Sequence, residues 1–285
     1  MTENIIALVD GSGYAASVCE HAAWASKLTG APVQLLHVMG RREAAGPQDL
    51  SGAIRLGARS ALLEELATLD AQRARIANEA GRALLEDARQ LTEGAGAKGV
   101  TTRLEQGDLI ERTVGHEAPD TRLIVIGKRG AAADFAKGHL GSNLERIVRA
   151  ARKPVLVASR AFKPIRKVLV AFDGGSSSLK AIEHMAASPV FKDLRIELAM
   201  AGNTRESARD ALDEALLRLR AAGLHAEAVV LEGSADTALS ERIETGGHDL
   251  LVMGAYGHSR IRSMIIGSTT TQMLIACKLP VLLFR

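Results

Sequence analysis

Aromatic side chains are scarce: one Trp, two Tyr and five Phe, 3% of 285 residues. That excludes a stacking platform for single-stranded nucleic acid, which needs ring faces for successive bases. Charge of one sign is nearly missing too. The formal net charge of +3 is too slight to argue for a nucleic-acid or membrane partner. No apolar run approaches the ~20 residues of a spanning helix. The chain has two cysteines, Cys19 and Cys277, in apolar helical contexts far apart in sequence. They read as two buried thiols in a reducing cytoplasm, not as a disulfide framework. Met1-Thr2-Glu3-Asn4 begins no basic segment followed by an apolar core, so no signal peptide is expected and the expected location is cytoplasmic.

What is present is a globular composition, 47% apolar and 24% charged, and a plan stated twice. Residues 121–158 run from an apolar strand through Gly127-Lys128-Arg129-Gly130 and a polar stretch to Gly141-Ser142, a short helix, and Lys153-Pro154-Val155-Leu156-Val157. Residues 249–284 repeat it with Gly254-Ala255-Tyr256-Gly257, Gly267-Ser268, a short helix and Leu279-Pro280-Val281-Leu282-Leu283. A glycine-rich loop that leaves a strand and ends on a helix N-terminus is phosphate-binding geometry. Its glycines let backbone approach phosphate oxygens, and the orphan N–H groups of the helix start face the anion.

The hydrophobic pattern predicts strand–helix units repeated four times plus a final strand in each half. In the first half the strands are Ile5–Val9, Val33–Met39, Val100–Glu105, Leu123–Ile126 and Val155–Ala158. In the second they are Val168–Phe172, Arg195–Ala201, Ala226–Leu231, Leu250–Met253 and Pro280–Phe284. Alternating βα units with continuous apolar strands imply parallel sheets covered on both faces. Domains of 1–160 and 166–285 are expected, joined through the Pro164 segment. Asp10 and Asp173 stand 163 positions apart but Gly107 and Gly233 only 126, so the first half carries 37 extra residues. They fall in an insert at about 41–98 that holds a long helix, Arg59–Glu93. That helix reads as packed on the sheet and extended past its edge with solvated Arg and Glu; a partner-binding or lid role is the alternative.

In the second half the glycines read G-x2-G-x9-G-S. With Asp10 and Asp173 at the ends of first strands, the His37-Val38 pair, Gly107 and Gly233 after third strands, and the terminal Pro-Val-Leu strands, the chain resembles the universal stress protein family in its ATP-binding form. The resemblance spans nearly the whole chain as two tandem copies and explains the insert least. It implies two flavodoxin- or Rossmann-like α/β domains, each a five-stranded, mostly parallel sheet of order 3-2-1-4-5, packed as a pseudo-dimer through their last strands. It implies binding of adenine nucleotide, ATP with Mg²⁺, in a cytoplasmic stress response. The site residues it implies are Asp173, Met200, Gly254, Gly257, Gly267, Ser268 and Thr269 in the second half. In the first they are Asp10, Val38, Gly127, Gly130, Gly141, Ser142 and Asn143. There ten residues separate Gly130 from Gly141, one more than the signature, so loss of binding in that half is the alternative. Lys128, Arg129 and Lys137 would suit a triphosphate electrostatically. Asp10 and Asp173 would contact the adenosine end, or else simply form Asx turns. Association of two chains and the identity of a protein partner stay open.

Other signals weigh less. Gly11-Ser12-Gly13-Tyr14-Ala15-Ala16 fits G-x-G-x-x-A, but Asp10 beside an incoming pyrophosphate, and no acid ending the second strand, argue against a dinucleotide site. The histidines show no metal-ligand spacing, so no metal site in the protein itself is expected. Ser177 and Ser178 have no histidine–carboxylate partners for nucleophilic hydrolysis. A slow ATPase or phosphotransferase, and a nucleotide-independent adapter, remain the competing functions, with no catalytic residue assigned.

Overall fold

Ten strands alternate with eight α-helices among the described residues of the computed structural model, which are 3–40, 59–114, 121–130, 141–202, 205–255 and 268–285. The first half runs β1 (Asn4–Leu8), α1 (Ala15–Thr29), β2 (Val33–Met39), α2 (Arg59–Gly94), β3 (Thr101–Gln106), α3 (Leu109–Thr113), β4 (Thr121–Gly127), α4 (Ser142–Ala150) and β5 (Val155–Ala158). The second runs β6 (Lys167–Ala171), α5 (Ser176–Ala187), β7 (Arg195–Ala201), α6 (Glu206–Ala221), β8 (His225–Leu231), α7 (Ala235–Gly246), β9 (Leu250–Gly254), α8 (Ser268–Ala276) and β10 (Val281–Phe284). A 3-10 turn over Pro189–Phe191, absent from the sequence expectation, precedes β7.

The sheet order is β3-β2-β1-β4-β5-β10-β9-β6-β7-β8. Read inward from each outer edge, each half has the expected 3-2-1-4-5 order. All pairs are parallel except β5 with β10, where Val155, Leu156 and Val157 face Leu283, Leu282 and Val281 in antiparallel register. Each half alone would present an edge strand whose residues are all buried in the intact chain. Pairing the two edges removes both from solvent and fuses two sheets into one.

Successive strand residues feed opposite faces, and two cores result. Ile5, Ala7, Val33, Leu35, Val168, Val170, Ile196 and Leu198 join one layer with α1, α2, α5 and α6. Ile6, Leu8, Leu36, Leu169, Ala199, Leu251 and Met253 join the other with α3, α4, α7 and α8. Both layers run across the two halves. The strands are apolar on both faces because both are covered.

Among the described side chains, the long helix enters the core in its C-terminal part. Gly81 is buried, and a Cβ there would meet Leu104 Cδ1 at 2.8 Å and His37 Cδ2 at 3.2 Å. From Gly81 onward Leu85 and Ala88 enter the core, whereas Leu69 and Ile76 are 43% and 61% exposed. The expectation of a helix packed on the sheet and extended past its edge agrees with this placement.

Candidate functional site

Strand order reverses between β1 and β4, and there the loops leaving their C-terminal ends diverge and open a crevice. A cavity of about 790 Å³ fills that position in the first half. Its lining comes from the ends of β1 (Asp10), β2 (His37, Val38) and β4 (Gly127 to Gly130), the turn at Gly107-Asp108, and the start of α4 (Gly141, Ser142, Asn143). Every residue expected for the first half therefore converges on one cavity of a size that suits a small organic ligand.

Each contributor has a local reason for its place. The Asp10 carboxylate accepts from the Ser12 N–H at 3.1 Å, so the Asx turn is real, and it still lines the cavity. A Cβ on Gly130 would lie 3.0 Å from Asp10 Oδ2, so the loop after β4 folds against that carboxylate. His37 Nδ1 sits 2.8 Å from the Val9 carbonyl; a carbonyl only accepts, so Nδ1 carries the proton. Gly107 has φ +129°, a backbone state that favours glycine, and turns the chain beneath the cavity.

The start of α4 is the anion-facing element. Gly141 supplies no side-chain cap, and the first intrahelical bond found is Glu145 N–H to the Gly141 carbonyl. The N–H groups of Ser142, Asn143 and Leu144 have no acceptor within the helix and stand at its positive end. By contrast α3 is closed, because Asp108 Oδ1 accepts from the N–H groups of Ile110 and Glu111. Gly141 adopts φ −63°, open to any residue, and a Cβ there would sit 3.5 Å from the Lys128 carbonyl. Its value lies in the space it leaves between loop and helix.

Two of the expected glycines have a packing role as well, and one expectation changes. Gly127 and Gly254, expected from the sequence to admit phosphate, also have a packing reason to lack a side chain. A Cβ on Gly127 would lie 2.7 Å from Tyr14 Cβ, and one on Gly254 would lie 2.9 Å from Ser177 Cβ. In each half the first motif glycine lets the first helix close onto the fourth strand. Lys128 is expected to serve phosphate, but its ammonium donates to the Cys277 carbonyl in the other half. Burial and the neighbouring Arg129 hold its pKa below the usual lysine range. Lys137 lies outside the described residues.

Sequence reasoning misses Arg146 and Asp108. Arg146 Nη2 donates to Asp108 Oδ2 at 2.6 Å across the cavity wall, and this bond holds the Asp108 carboxyl below its usual range. A signal was available: Arg146 follows Ser142 by four residues and so shares its helix face.

In the second half Asp173 accepts from Gly175 N–H at 2.9 Å and Ser178 Oγ at 2.7 Å, again an Asx turn. Met200, the sixth residue of β7 as Val38 is of β2, is buried. Gly233 has φ +95°, matching Gly107 in sign. Ser268 and Thr269 open α8, and Thr270 ties that turn to β9 by donating to the Gly254 carbonyl at 3.1 Å. Gly257 and Gly267 lie outside the described residues.

Among the described residues no three His, Cys, Asp or Glu side chains gather as a metal site. None of the described helices is long and apolar enough to cross a membrane.

Comparison with known proteins agrees with the tandem plan. The profile of the universal stress protein family matches residues 1–159 and 187–285. Universal stress protein Slr1230 of Synechocystis sp. is 37% identical over 287 residues, covering 99% of this chain and 100% of that protein. A universal stress protein from Archaeoglobus fulgidus has the same fold with a TM-score of 0.71 at 20% identity, covering 99% of this chain and 98% of its own. A protein described as a putative universal stress protein from Pseudomonas aeruginosa follows at 0.63 and 18%, with 99% and 93% covered. The chain belongs to the universal stress protein family.

Proposed function

We propose that this chain binds adenine nucleotide, ATP with Mg²⁺, in two tandem domains of residues 1–160 and 166–285, and acts as a nucleotide-dependent switch in a cytoplasmic stress response. The observation that carries the reading is the cavity at the β1/β4 reversal, where Asp10, Val38, Gly130, Gly141, Ser142 and Asn143 meet. The uncapped N-terminus of α4 offers the phosphates backbone donors, and Arg129 on the wall offers charge. The backbone of Val38 faces the adenine end and Asp10 the ribose. In the second half Asp173, Met200, Gly257, Gly267, Ser268 and Thr269 take the same parts. Mg²⁺ arrives with the phosphates, as a cation that keeps most of its waters does. No general base is assigned, so the reading is occupancy that shifts a population of conformers, not turnover.

Calorimetric titration with ATP, on the wild type and on Gly130→Val and Gly257→Val, tests it. The expected result is two sites, each abolished by its own substitution. In Gly130→Val the new side chain branches toward the Asp10 carboxylate, which a bare Cβ already approaches to 3.0 Å. Absence of binding to the wild type, stripped of any carried-over nucleotide, would overturn the reading.

A further inference from the structure

The two short helices that begin at the glycine-serine pairs both end on a cation from the opposite half. Lys128, in the loop after β4, sends its Nζ to the carbonyl of Cys277, one residue past α8, at 2.5 Å. Arg285, after β10, sends Nη1 to the carbonyl of Arg149 in the last turn of α4, also at 2.5 Å. The first half thus closes the helix of the second, and the second closes the helix of the first.

Physical chemistry gives these crossed bonds weight. The last carbonyls of a helix have no intrahelical donor, and a cation there offsets the negative end of the helix. Helices α4 and α8 have nine residues each, roughly 13 Å from end to end. In so short a helix, fraying at one end reaches the first turn at the other. α8 has no basic residue in its own last turn, so Lys128 supplies what its sequence omits. Lys128 is also largely desolvated, and such an ammonium depends on the carbonyl it has found.

We propose that Lys128 and Arg285 are crossed positioning residues, each holding from one half the helix whose N-terminus receives phosphate in the other. The inference rests on the nucleotide reading above and adds a link between its two sites. Its signature is displaced: removing the cation in one half weakens ATP binding in the other. A simple electrostatic role for Lys128 gives the opposite pattern, a loss in its own half.

Single-site proteins separate these outcomes. In a Gly130→Val background, which leaves the C-terminal site, addition of Lys128→Met is expected to weaken ATP binding roughly three- to tenfold. In a Gly257→Val background, which leaves the N-terminal site, Arg285→Met should do likewise, and Arg285→Lys should restore most of the loss by keeping a donor. Thermal melts of each variant identify any that fails to fold, and Lys128→Gln, which retains an N–H donor, then replaces Lys128→Met. Parents that bind ATP, with cross-half variants that bind within twofold of them, would overturn the inference and leave the nucleotide reading intact. With the backgrounds exchanged, Lys128→Met in Gly257→Val and Arg285→Met in Gly130→Val, a loss confined to the mutated half would overturn it as well. Parents that bind no ATP would overturn the nucleotide reading itself.

Discussion

His21 lies fully buried in α1 with its Nδ1 2.6 Å from the Ser17 carbonyl and its ring edge-on to Phe162 at 4.9 Å. Nδ1 must donate there, and Nε2, among the described residues, has no hydrogen-bond partner. Protonation would put an unbonded N–H⁺ into the core, so burial pushes the pKa down to about 4 from 6.5. A histidine pKa lowered by folding means that the unfolded chain binds the proton more tightly. Stability from this residue is therefore complete above the unfolded value and drains away as pH falls from about 6.5 to about 4. The loss is on the order of 3 kcal/mol. Denaturant titrations at pH 7 and pH 4.5 should show it in the wild type and show a smaller drop in His21→Phe; equal drops would refute the assignment. The motif glycines offer a second contrast at this scale. Gly127→Ala forces a Cβ to within 2.7 Å of Tyr14 Cβ, an overpacking that costs about 1–3 kcal/mol of stability. Gly141→Ala has φ −63° and, among the described residues, nothing closer than 3.5 Å, so its melting temperature should stay near wild type. Its ATP affinity should fall, because the new methyl enters the space between loop and helix.

The elements themselves were largely legible, because hydrophobic period and glycine punctuation act locally. The long helix expected over Arg59–Glu93 is found over Arg59–Gly94; β2 and β7 coincide with expectation at both ends. What could not be read depends on partners distant in sequence. That Gly127 serves Tyr14, that Lys128 reaches Cys277, and that Arg146 meets Asp108 all follow from how elements are stacked. Glu197 is the sharpest case. It sits in β7 where an alternating pattern would put a solvated acid, yet it is 1% exposed, accepting from Nε and Nη2 of Arg242 at 2.5 and 2.8 Å and flanked by Lys167 and His248. Burial raises its pKa, but the Arg242 hydrogen bonds and the nearby cations outweigh that and hold it low. On α2 the boundary between packed and solvated sections is itself testable. Ile76→Glu, at a position 61% exposed, should change stability by less than about 0.5 kcal/mol. Leu85→Ala, at 3% exposure, should cost about 2–5 kcal/mol. Comparable losses from both substitutions would mean that the N-terminal section of the helix is packed after all.

For the whole molecule, the continuous sheet decides how the two halves behave. Their junction is a backbone ladder between β5 and β10, with Leu156 and Leu282 paired at its centre and 1% and 7% exposed. Each core layer contains residues from both halves, and α1 of the first packs on the 3-10 turn of the second, where Phe191 is buried. The bonds to the Cys277 and Arg149 carbonyls add polar ties between the two halves. The covalent link at Arg160–Lys163 is mostly exposed, with Phe162 packed edge-on to His21. Two consequences follow, and both differ from those of two beads on a string. Unfolding should be one cooperative transition, with calorimetric and van't Hoff enthalpies in agreement, because neither half can leave without exposing the other's edge strand. A chain cut within 160–163 at an introduced protease site should still elute as one particle under native conditions. Leu282→Asp, which places a carboxylate in the seam beside Leu156, should separate the cut pieces, since an unpaired buried charge is intolerable there. Two resolved transitions in the uncut protein, or free halves after cutting the wild type, would show that the seam is a contact between independent domains and not part of a single core.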